Sequence, residues 1–73
     1  MQDDKEQTLI WIGKEVRRYR TLKGMSLFDL EALTDISKKQ LLKIEQGKVD
    51  FRLITLLKIA DALDIEAWKI YKG

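Results

Sequence analysis

Residues 37–48 read SKKQLLKIEQGK. Lys38, Lys39, Lys43 and Lys48 bring ammonium groups, Gln40 adds an amide, and Leu41, Leu42 and Ile44 sit among them. Ammonium groups attract anions and donate hydrogen bonds. A second basic run, Lys14, Arg17, Arg18, Arg20 and Lys23, is opposed only by Glu15. Between the two lie the acids Asp29, Glu31 and Asp35. The formal net charge of +2 hides this segregation. If the two basic runs fold side by side they form one positive patch suited to a polyanion. Solvated helix faces would carry the same residues, so charge alone does not decide.

Other chemistry is excluded by composition. The chain has no cysteine and no histidine, which removes zinc sites, disulfides, Ser-His-Asp triads and imidazole catalysis. The three acids have no histidine, cysteine or glycine-rich loop nearby and read as cap, surface and turn, so neither an enzyme nor a cofactor or metal is expected. Seventy-three residues make one domain, 1–73, with a polar segment 1–7 expected to be flexible. No apolar run reaches membrane length, no signal peptide is expected, and a cysteine-free chain fits the cytoplasm.

The elements that must position the lysines follow from apolar spacing. Leu9, Ile12, Val16, Tyr19 and Leu22 form one stripe of a helix over 8–23, with Thr8 as its cap and Gly24 as its stop. Ser26 and Asp29 form a variant capping box ahead of a short helix over 27–34, on which Leu27, Leu30 and Thr34 share a face. Asp35 and Ile36 make a turn, and Ser37 caps a helix over 38–46 that stops at Gly47. On that helix Leu41 and Ile44 face inward with Ile36, and Lys38, Lys39 and Lys43 face water. This answers why charge and apolar side chains are interleaved. Asp50 is expected to cap a helix over 52–63 with an inward stripe of Leu53, Leu56, Leu57, Ile59, Ala60 and Leu63. A last short helix over 66–71 carries Trp68. Two short helices joined by a tight turn, 27–34 and 38–46, make a helix-turn-helix.

The runs IGKEVRRYR, KGMS, DISKKQLLKIEQGK and LITLLKIADALDI, spread over 12–71, resemble the Xre, or Cro/repressor-type, helix-turn-helix family. The most specific parts are Arg20, the Gly24-Met25-Ser26 step, IEQGK at 44–48 and LLKIADAL at 56–63. The resemblance implies an all-α, five-helix, lambda-repressor-like domain that binds double-stranded DNA. Its third helix would read the major groove, with Lys38, Lys39 and Lys43 at base-contacting positions and Gln40 nearby. Lysine can donate to guanine O6 and N7, and glutamine can read adenine. Ser37, Lys48 and Arg52 would contact phosphates, Arg52 together with backbone N–H groups that open the fourth helix. Arg20 would pair with Glu45 and fix the aim of the third helix.

The resemblance further implies a transcriptional regulator, a homodimer on a palindromic operator, of the kind that includes repressors and antitoxins with a cognate toxin partner. Trp68, Ile70 and Tyr71 are candidate dimer residues. Trp68 is better placed as core packing against the first helix, which leaves Tyr71 as the stronger interface residue. Three positions depart from the family pattern: Leu27 replaces a phosphate-binding glutamine, Glu31 an alanine at a close helix crossing, and Asp35 a turn glycine. Glu31 must therefore swing its carboxylate past its neighbour or widen the crossing. With Phe28 and Leu42 expected to face outward, these departures motivate the alternative of a protein-interaction module that keeps the fold and has lost DNA binding.

Overall fold

A computed structural model of the chain describes residues 2–71, with side chains from residue 5 onward. Five helices follow one another among the described residues: α1 (Gln2–Leu22), α2 (Leu27–Thr34), α3 (Lys38–Glu45), α4 (Leu53–Ala62) and α5 (Ala67–Tyr71). The helix-turn-helix pair α2 and α3 packs together, α1 lies across α3 and α5, and α4 closes the bundle against α2 and α5. Ile12 and Val16 of α1, Leu30 of α2, Leu41 and Ile44 of α3, Leu56, Ile59 and Ala60 of α4, Leu63 and Ile70 form one buried cluster. No described helix is long and apolar enough to cross a membrane.

The boundaries follow local chemistry. Ser26 Oγ accepts from Asp29 N at 3.0 Å and Asp29 Oδ2 accepts from Ser26 N at 2.9 Å, a reciprocal box that starts α2. Asp35 closes α2 in the left-handed conformation with φ 63°, and its N–H bonds Glu31 O at 2.8 Å. Ser37 Oγ caps α3 by accepting from Gln40 N at 3.1 Å. Gly47, with φ 70°, ends α3 as Lys48 N reaches back to Lys43 O at 3.0 Å.

Several expectations are corrected. The first helix does not start at a Thr8 cap; it runs from Gln2, and Met1 lies outside the described residues. Lys5, Glu6 and Gln7 are strong helix formers with no breaker among them, and Lys5 Nζ reaches Asp50 Oδ2 at 3.0 Å. Asp50 consequently does not cap α4. Its Oδ1 takes the neighbouring Phe51 N–H at 2.8 Å, and Arg52 occupies the cap position without a side-chain bond. Leu22, Leu53 and Leu57 belong to their apolar stripes by spacing but remain exposed, Leu22 at 69% and Leu53 at 67%. The first two stand at helix ends where no neighbour continues, and Leu57 lies past the edge of the α4 stripe that holds Leu56, Ile59 and Ala60. Trp68 is not core, being 46% exposed, whereas Ile70, a dimer candidate, is fully buried. It is Ile70 that anchors α5 to the core.

Candidate nucleic-acid interface

Helical geometry divides α3 into an inner and an outer row. Leu41, Ile44 and Glu45 are buried. Lys39, Leu42, Lys43 and the C-cap Gln46, spaced by three, four and seven, stand together on the opposite face and are exposed. Two ammonium groups thus flank a leucine side chain in a continuous outward row. Gln46 was not singled out from the sequence, although its distance of seven residues from Lys39 was the available signal. Gln40 is half-buried on the flank, and its backbone N–H is taken by Ser37.

The inner side of α3 is fastened at its far end. Arg20 donates to Glu45 through Nε at 2.6 Å and Nη2 at 3.0 Å, and through Nη1 to Met25 O at 2.8 Å. The pair is 15% and 4% exposed. Hydrogen bonding to Glu45 raises the Arg20 guanidinium above its ordinary value although burial opposes it. Gly13 makes this geometry possible. A Cβ there would meet the Ile44 carbonyl oxygen and come within 2.6 Å of Glu45 O, so α1 and α3 approach backbone to backbone. This glycine, inside a helical pattern, was not assigned a role from sequence.

At the near end, Glu31 resolves the crowding expected of it by turning its carboxylate onto the helix start. Its Oε2 accepts from Lys38 N at 3.1 Å. Lys38 is therefore set apart from Lys39 and Lys43. Its backbone is tied to Glu31, and its ammonium lies 4.2 Å from the centre of the Phe28 ring, on the side of α2.

The first basic run is less available than its composition implies. Arg18 is locked to Glu15 by bonds of 3.1 and 2.8 Å and stacks on Tyr19 at 4.5 Å. These bonds hold the Glu15 carboxyl below the ordinary carboxylate range, against the effect of burial. Arg20 faces Glu45. Arg17 is the member that reaches the outward row of α3: with Leu27, Leu42 and Gln46 it lines a notch bounded by α1, α2 and α3. Ser37, Lys48 and Arg52 are all exposed, Ser37 at the start of α3, Lys48 just past its end and Arg52 at the opening of α4.

A stiffly held helix whose solvent face is an ammonium row, preceded by a short helix and a tight turn, defines a helix-turn-helix DNA-binding domain. Residues 15–67 match the Cro/C1-type HTH DNA-binding domain, and the chain belongs to that family. The family is one of DNA-binding proteins rather than enzymes. Two solved structures are similar. The restriction-modification controller protein C.AhdI from Aeromonas hydrophila is 33% identical, with a TM-score of 0.83 over 86% of this chain and 96% of that one. The clp gene regulator ClgR from C. glutamicum is 22% identical, with a TM-score of 0.82 over 86% of this chain and 82% of that one, and shares the fold. No curated protein matches the chain.

Proposed function

We propose that the protein is a transcriptional regulator that reads a duplex operator through α3, working as a homodimer. The observation that carries this is the outward row of Lys39, Leu42, Lys43 and Gln46 on a helix fastened from behind by Arg20 and Glu45. Lys39 and Lys43 reach guanine acceptors, Leu42 meets thymine methyls, and Gln46 adds a donor and an acceptor. Lys48, Arg52 and Arg17 hold the flanking phosphates, with Ser37 adding its hydroxyl. Likeness to a restriction-modification controller supports a role in gene control.

A dimer sets two copies of α3 about 34 Å apart on a palindromic site. Exposed Trp68 and Tyr71 at the C-terminal end support such pairing; Ile70 is unavailable for it. A gene for a toxin beside this one would make the regulator an antitoxin.

The second reading, a protein-interaction module, draws on Phe28, which is 63% exposed at the start of α2, and on Leu27, which cannot bind a phosphate. One experiment separates the two: selection of bound sequences from random duplexes at two salt concentrations. DNA reading yields an enriched motif and affinity that falls steeply with salt. Absence of any bound duplex at low salt leaves the interaction module standing.

A further inference from the structure

Phe28 and Glu31, both on α2, converge on Lys38. Glu31 accepts the Lys38 backbone N–H at 3.1 Å, and the Phe28 ring receives its ammonium at 4.2 Å. Phe28 follows Leu27, the first residue of α2, so the ammonium is carried from α3 to the opening turn of the neighbouring helix. That turn has no cation of its own: Leu27 is apolar, Asp29 is an anion, and Ser26 offers only a neutral hydroxyl, whose oxygen accepts from Asp29 N.

We propose that Lys38 is a phosphate-contacting residue, aimed by the Phe28 ring and the Glu31 carboxylate, and not a base-reading one. It places a cation beside the start of α2, where Leu27 offers none. Base reading is left to the outer row. The electrostatics agree, because an aromatic face holds a cation loosely enough to leave its other side for an anion. Glu31 contributes by accepting the Lys38 N–H, which fixes the backbone from which the side chain departs. This assignment rests on the DNA-reading function proposed above.

The test compares Lys38→Ala, Phe28→Ala, Phe28→Tyr and Lys39→Ala by selection from random duplexes and by the salt dependence of binding. Lys38→Ala should weaken all duplexes by one common factor, lower the salt slope by about one, and leave the selected motif unchanged. Lys39→Ala should instead relax the motif at one position. Phe28→Ala should weaken binding only while Lys38 is present, and Phe28→Tyr should restore it. Phe28 is exposed, so these variants fold. A motif that relaxes in Lys38→Ala overturns the assignment, and so does a Phe28→Ala effect that persists when Lys38 is already alanine. Proton spectra of the DNA-free protein supply a second readout. The Lys38 side-chain methylenes should shift upfield under the ring and return in Phe28→Ala; absence of that shift removes the aiming contact. If the unaltered protein binds no duplex at low salt, the assignment falls with the DNA reading. A retained upfield shift would then locate the failure in that reading and not in the Phe28 contact.

Discussion

Arg20 sits in a basic run, yet its guanidinium is turned inward to Glu45 and Met25. Removing it leaves a nearly buried carboxylate without a partner. Arg20→Ala should cost roughly 3 kcal/mol of stability, read as a lowered midpoint in urea. Arg20→Lys should recover only part, because one ammonium cannot reproduce a two-pronged contact. Lys39→Glu and Lys43→Glu should behave oppositely. Both side chains are exposed on the outer row, so thermal unfolding should stay within about 0.5 kcal/mol of the parent while DNA binding disappears. Unfolding by either lysine change would mean α3 faces the wrong way. The pairing partner of Arg20 was legible from the family resemblance. The separation of Lys38 from Lys39 and Lys43 was not, because it depends on where Phe28 and Glu31 arrive from another helix.

Among the elements, α1 carries the least expected constraint. Alanine ordinarily favours a helix interior over glycine by about 1 kcal/mol. At Gly13 the sign should reverse, since a Cβ would press on the backbone oxygens of Ile44 and Glu45. Gly13→Ala should lose about 1–3 kcal/mol by overpacking, measured by thermal melting, and weaken DNA binding as α3 is displaced. Helix existence and order were readable from apolar periodicity, and α2 and α3 were readable to their caps. What the pattern missed lies where periodicity says nothing about neighbours. Leu22, Leu53 and Leu57 satisfy a stripe with no helix to cover them, and Thr8 and Asp50 are plausible caps in places where the chain had other uses for them. A close approach such as that at Gly13 leaves no local mark beyond the glycine itself.

The whole molecule has no histidine, so no side chain of ordinary pKa changes charge between pH 6 and 8, and DNA affinity should be flat there. Acid acts differently. Arg18 holds Glu15 below its ordinary value of 4.5, and Lys5 with the Phe51 N–H lowers Asp50 from 3.8. Groups lowered in the folded state contribute stability above those ordinary values and lose it as pH drops through the folded ones. Stability should therefore hold from neutrality to about pH 5 and decline below pH 4.5, followed by circular dichroism across an acid titration. The outer row of α3 is exposed, while the ties that orient the helix run through Glu45, Gly13 and Ser37. Lys39 and Lys43 can therefore be exchanged without disturbing the scaffold. If the outer row reads DNA as proposed, a duplicated copy of this gene could acquire a different target sequence through a few codon changes, each intermediate remaining a folded protein.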